Sequence, residues 1–266
     1  MTIQNQNDPM VTLLSGEFQR RYEPNFAWQH ACSMFQALPG LRLFVPFSSA
    51  DENGNAIDLS GQGRTLTYNG GPKYFSNQLE PHVRLDGQGD FFSRVDEAGL
   101  DILGTESYIH VSLRGLAMGG WFQFDNVAGG GSEYCLSKYT STADQRSYGI
   151  RRFTTGTIRF GTSPLGVVYT EAESVATPAA GVWVWLAGRL VPGATKTVWV
   201  NLEQTDLVTA DAAIFNSNAP FLMGGRNAGA ADLMTGRASL CFLCAAALSD
   251  TTIAMLYEQT RALFGQ

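Results

Sequence analysis

From Leu41 onward the chain is a succession of short segments rich in β-branched and aromatic residues: LRLFVPF, RTLTY, PHVRL, FFSRV, GGWFQF, YCLSKY, YGIRRF, TIRFGTS, WVWLAGRL, KTVWVN, FLMGGR and SLCFLCAAAL. Gly, Asn, Asp or Pro bounds most of them, and no helical periodicity intervenes. Such punctuation leaves the backbone one economical way to satisfy its hydrogen bonds and bury its apolar side chains. The prediction is an all-β fold, two antiparallel sheets packed as a sandwich.

Two segments depart from this rhythm. Asn25–Leu38 sets Phe26, Trp28, Ala31, Phe35 and Leu38 near helical spacing, with Asn25 placed to cap and Pro39-Gly40 placed to stop. LSDTTIAMLYEQTRALF closes the chain with Ser249 or Asp250 as a cap ahead of Ile253, Met255, Leu256 and Leu263. The organisation expected is an N-terminal arm and short helix over 1–47, then a sandwich domain with a C-terminal helix over 48–266. Alone, so short a first helix has too little stability in water, so its apolar face must pack on the sandwich or on another subunit.

Composition narrows the function. Charged residues are 16% of the chain, against about 25% in an average protein. A chain so thinly charged has little with which to cover a free surface, which points to self-association or an assembly partner. The net charge of −6 argues against nucleic acid, whose phosphates demand a basic stripe. MTIQNQNDP has neither a basic nor an apolar leader pattern, so no secretory signal is expected. The longest nearly apolar run, Ala238–Leu248, is 11 residues, too short to cross a bilayer. No membrane partner is expected.

Catalytic signatures are missing. Cys32, Cys135, Cys241 and Cys244 lack zinc or disulfide spacing and read as small core residues. His30, His82 and His110 have no nucleophile motif or metal spacing around them. Glu171 and Glu173 share a face at strand spacing, but TEAESVATP reads as a loop rather than a strand carrying two glycosidase carboxylates. No enzyme is expected.

The order of the strand punctuations carries a resemblance. DLSGQGRTLTYNGGPKY, VRLDGQGDFFSR, GGWFQF, LSKYTSTADQRSYGIRRF, WVWLAGRL followed by TVWVN, and PFLMGGR followed by LSDTTIAMLYE resemble, in sequence over Asp58–Glu258, the laminin-G-like domains of the concanavalin A-like jelly-roll superfamily. The resemblance implies a two-sheet jelly roll with Trp121, Trp183 and Trp199, and with them Trp185, in its core. It also makes Ca2+ a candidate cofactor through loop oxygens of Asp58, Asp86, Asp90, Asp125 and Asn126, although turn-forming Asp is the simpler reading of those positions. Where the family has a strand with a charged outer face, this chain has Ser239, Leu240 and Phe242. A strand apolar on both faces must be covered on both, by the N-terminal segment or by a neighbouring subunit. Asn201 is followed by Leu202 where the family has Gly, so a different hairpin is expected there.

RRYEPNFAWQHACSMFQALPGLRLFVPFS looks like the lead-in of jelly-roll proteins of tailed bacteriophages. This implies a non-enzymatic virion protein, a capsid decoration, head-spike or tail-adsorption subunit, with phage capsid or tail proteins as partners and a homo-oligomeric state. Phe26, Trp28, Phe35, Leu240 and Phe242 are the expected assembly contacts. The alternative is a free carbohydrate-binding, lectin-like module, for which Tyr139, Tyr148, Tyr169 and Trp185 are the candidate aromatic platform for a host-surface glycan.

Overall fold

The strand segments assemble into two antiparallel sheets in a computed structural model, which describes residues 26–76, 79–106, 109–126, 131–209, 211–229 and 231–266. Sheet I runs β13 (Glu203–Val208), β12 (Thr195–Val200), β11 (Trp183–Val191), β6 (Leu116–Phe124), β15 (Thr235–Cys244), β4 (His82–Asp86), β3 (Lys73–Phe75), with β1 (Leu41–Val45) also on β15. Sheet II runs β10 (Thr170–Glu173), β9 (Ile158–Thr162), β8 (Gln145–Arg152), β7 (Glu133–Thr140), β14 (Phe221–Met223), β5 (Phe91–Arg94), β2 (Thr67–Asn69). The first half of β15 pairs with β4 and the second with β1, across an irregularity between Ser239 and Phe242 where Leu240 has φ +47°. β1 thus belongs to the sandwich, although the sequence grouped it with the lead-in. The expected two-sheet antiparallel sandwich, flanked by one short helix at each end of the described chain, is what the structure shows.

Alternation divides the middle strands of sheet I between two cores. Phe122, Phe124, Val184, Leu186, Val198 and Val200 face sheet II, where Phe92, Ile150, Phe160 and Phe221 meet them. Trp121, Trp183, Trp185 and Trp199 point the other way. The four tryptophans are buried, but beneath helices rather than between the sheets as expected. The covering elements are α1, residues 26–36, and α2 (Asp250–Thr260) with the 3-10 turn Arg261–Phe264 that continues it.

Each covering element is fixed by local chemistry. Ser249 caps α2, its hydroxyl accepting from the Thr252 amide at 3.1 Å. The chain leaves α1 and turns into β1 at Gly40, where φ is +65° and a Cβ would stand 2.9 Å from the Ala245 carbonyl oxygen. Asn25, the expected cap of α1, and the arm over 1–24 lie outside the described residues.

The second core is aromatic. Phe35 of α1 stacks on Phe44 at 4.9 Å and packs on Phe242 at 5.6 Å and Trp185 at 6.1 Å. Trp121 stacks on Phe264 at 4.5 Å, and its Nε1 donates to Thr260 Oγ1 at 2.8 Å. This overturns the assignment of Trp28, Phe35, Leu240 and Phe242 to contacts between subunits, because the chain's own helices and sheet bury all four. Of that set Phe26 alone remains at the surface, 72% exposed. The hairpin after β12 turns at Asn201, whose φ of +56° supplies the left-handed residue, and Leu202 is exposed beside it.

Two outcomes are expected. Phe35→Ala should cost about 3–5 kcal/mol, because it opens a cavity under α1. Phe26→Ala should stay within about 0.5 kcal/mol. Urea titration of both variants checks the contrast.

Burial also sets a response to alkali. It raises the thiols of Cys135, Cys241 and Cys244 and the hydroxyl of Tyr148, and pushes the Cys32 thiol up to about 12. The folded chain therefore keeps protons that the unfolded chain releases at the ordinary values of about 8.5 for Cys and about 10 for Tyr. Stability from these groups is complete below that range and falls as the pH rises through it. Burial lowers the Lys196 ammonium and acts in the opposite sense, but the raised thiols and hydroxyls outnumber it. Urea midpoints should be lower at about pH 10.5 than at about pH 8.

Candidate functional site

The outer face of sheet II has no α-helix over it among the described residues, and its side chains are polar and aromatic. On β7 an irregularity between Tyr134 and Leu136 turns both Cys135 and Leu136 toward the inter-sheet core. Tyr134 thereby joins Tyr139 on the outer face, their rings 5.5 Å apart, although five residues of plain alternation would oppose them. Tyr169, immediately before β10, meets Tyr139 edge-to-face at 5.0 Å.

The ledge under these rings is glycine. Gly149 of β8 and Gly161 of β9 are cross-strand partners. A Cβ on Gly161 would stand 2.5 Å from Tyr169 Cε1, and one on Gly149 would stand 3.2 Å from both Tyr134 Cε1 and the Tyr169 hydroxyl oxygen. With no side chains there, Tyr169 lies over the sheet and its hydroxyl donates to the Gly149 carbonyl at 3.3 Å. Tyr134 is buried beneath its neighbours, while Tyr139 and Tyr169 are half-buried and keep ring surface for solvent. Burial raises the Tyr134 and Tyr169 hydroxyls, so both stay protonated at neutral pH.

Arginines frame the rings. Arg146 Nε donates to Tyr139 Oη at 3.2 Å, and this bond raises its guanidinium above the ordinary value. Arg226 sits 5.4 Å from the Tyr139 ring centre and pairs with Asp232. Arg151 lies 5.3 Å from the Tyr134 ring centre and grips Glu171 through two bonds of 2.8 and 2.7 Å. Arg159 pairs with Glu173 at 2.9 Å, and the hydroxyl of Thr157, with that guanidinium, holds the Glu173 carboxyl below its usual range. Glu171 and Glu173 lie on strand β10, not in the loop expected, and both are engaged by arginine. The patch offers flat apolar rings beside fixed N–H donors and carboxylate acceptors, a set suited to a polyhydroxylated ring with one apolar face.

Two of the four expected platform residues come together here, Tyr139 and Tyr169. The other two do not reach solvent. Tyr148 is 0% exposed, facing the inter-sheet core with its hydroxyl on the Leu100 carbonyl at 2.7 Å. Trp185 is 0% exposed under α1. Neither can stack on a sugar, because the chain's own side chains cover both rings. Tyr134, Arg151 and Arg226 were absent from the expectation.

The oxygens considered for calcium are distributed over several turns and are already bonded. Asp58 accepts from the amides of Phe44, Ser60 and Arg64 at 2.8–3.0 Å. Asp86 accepts from Gln88, Gly89 and Asp90, amides that hold its carboxyl low. Asp90 accepts from Gly71 at 2.6 Å, Asp125 pairs with Arg84 at 2.9 Å, and the Asn126 carbonyl accepts from Arg152. Asp86 and Asp90 do share a groove of about 330 Å³ with Lys73, Phe75, Arg84 and Thr235 on the part of sheet I beyond the helices. Among the described residues, no three His, Cys, Asp or Glu side chains gather to hold a metal ion.

No protein-family model and no curated protein matches the chain. Solved structures do. The binding domain of Paraclostridial Mosquitocidal Protein 1 superposes with a TM-score of 0.62 at 12% identity, over 82% of this chain and 52% of that one. The binding domain of Botulinum neurotoxin DC, in complex with rat synaptotagmin II, gives 0.61 at 9% identity, over 84% and 52%. Botulinum neurotoxin type C, whose cell entry depends on interaction with two ganglioside molecules, gives 0.63 at 9%, over 84% and 51%. The chain spans about half the length of these proteins, and at such identities what it shares with them is the fold.

Proposed function

We propose that the chain is a non-catalytic binding module that grips a glycan on the outer face of sheet II. The observation that carries this reading is the pair of half-buried rings, Tyr139 and Tyr169, set edge-to-face at 5.0 Å on a glycine ledge and framed by arginines already held in place. Rings so fixed lose little rotamer freedom on binding, so apolar contact with a sugar is retained as affinity. Solved proteins of this fold include a binding domain in complex with rat synaptotagmin II and a neurotoxin whose cell entry depends on two ganglioside molecules, which supports a binding rather than a catalytic use of the architecture. The carboxylates of the patch are neutralised by arginine, which leaves no free acid to protonate a glycosidic oxygen.

A glycan array followed by titration tests the reading. Saccharide binding is expected to persist in EDTA, and Tyr139→Ala should weaken it about tenfold, the equivalent of about 1.4 kcal/mol. An array without signal, or affinity unchanged in the Tyr139→Ala, Tyr169→Ala double variant, sinks it.

The carrier of the module is read from the lead-in over Arg20–Ser48, whose likeness to tailed-phage jelly-roll proteins supports a place on a virion, as a capsid decoration, head-spike or tail-adsorption subunit acting with other copies of itself. Immunogold labelling of particles from the source culture should mark heads or tail tips. Particles without label would leave the free lectin-like module.

A further inference from the structure

Lys138 of β7 points into the sandwich and is 0% exposed. Its Nζ lies 2.5 Å from Asp96 Oδ1 and 3.1 Å from Asp101 Oδ1, and it donates to the carbonyl oxygens of Ala219, at 2.9 Å, and Ser217. Asp96 and Asp101 both reach Nζ, so two carboxyl groups meet on one amine. Asn216, with its amide turned to donate, reaches both oxygens of Asp101 at 2.8 and 3.0 Å. Burial raises Asp101, which favours its protonated form.

The surroundings of this amine are unusual. Nζ is fully buried and meets two carboxyl groups, while the Asp96 side chain at one of them keeps 31% of its surface exposed. A buried amine against one carboxyl, with a second acid on the same nitrogen, is the arrangement that amide formation requires.

We propose that Lys138 and Asp96 join in an intramolecular isopeptide bond. Nζ attacks Asp96 Cγ and forms the C–N bond. Asp101 takes the proton that Nζ loses and supplies one to the departing hydroxyl, so one water leaves and Asp101 ends in its starting state. No oxidant or co-reactant enters the balance. Lys196 provides a comparison within the same chain. It too is 0% exposed and has one carboxylate, Asp211, at 2.6 Å, together with the hydroxyl and carbonyl of Thr170. Among the described residues no second carboxyl touches it, and it remains an ion pair. The bond at Lys138 ties the connection after β5 to the middle of sheet II and closes a loop that stays closed in the unfolded chain, as a disulfide does.

Intact-mass spectrometry of the full chain in denaturant reads the bond directly. The expected mass is one water below the sequence mass, with a branched peptide joining the segments that contain Lys138 and Asp96. Asp101→Asn, which keeps the shape and removes the acid, should restore the full mass, and Lys196→Met should leave the deficit intact. Full mass in the wild-type chain after prolonged storage at neutral pH overturns the proposal and leaves a buried ion pair, as does a water deficit that maps elsewhere. A deficit that persists in Asp101→Asn overturns the relay assigned to Asp101.

Discussion

The middle strands of sheet I are apolar on both sides, and the rest of the molecule follows from that. A sheet with one wet face could have ended the fold at the sandwich. Here Trp121, Trp183, Trp185, Trp199 and Phe242 would face water, and two elements far apart in sequence must meet over them. α1 supplies Trp28, Ala31 and Phe35, and the C-terminal segment supplies Leu256, Tyr257, Leu263 and Phe264. The molecule therefore has three layers, with the hydrophobic drive divided between two cores that share the strands of one sheet.

That division leaves sheet II as the sheet with its outer face open. Its strands carry Gly149 and Gly161 where sheet I carries tryptophan, and the space so released is taken by rings lying flat rather than standing in a core. The tyrosines hold one another and the arginines hold the tyrosines, so the face keeps its shape without a third layer. The fixed geometry costs little on binding because the ion pairs to Glu171, Glu173 and Asp232 already restrain the long side chains.

Much of this was legible in the sequence, and the failures have a common cause. Turn residues and β-branched runs located the strands, and the helical spacing of Trp28, Ala31 and Phe35 located α1. The doubly apolar segment at Leu240 and Phe242 announced that something must cover it. Alternation separates two faces of a strand without saying which one meets the second sheet, so when both are apolar the tryptophans fit either core. A one-residue irregularity hid Tyr134, because it reverses the parity on which face assignments rest. Tyr148 and Trp185 looked no different in sequence from Tyr139 and Tyr169, since exposure is a property of what packs above a residue. The Arg151–Glu171 pair joins β8 to β10 across the intervening β9, and no local pattern encodes such a contact.

The helix-covered layer has a spectroscopic consequence. All five tryptophans of the chain, Trp28, Trp121, Trp183, Trp185 and Trp199, lie in it, and none lies between the sheets or in the tyrosine patch. Intrinsic tryptophan emission is thus a private channel to the junction of α1, α2 and sheet I. Detachment of α1 would shift the emission of Trp28 and Trp185, and detachment of the C-terminal segment that of Trp121 and Trp183, while the sandwich behind stayed intact; an event confined to sheet II would leave the emission unchanged. Tyrosine, excited at shorter wavelength, is the complementary reporter, so the two chromophores divide the molecule along the same plane as its two cores.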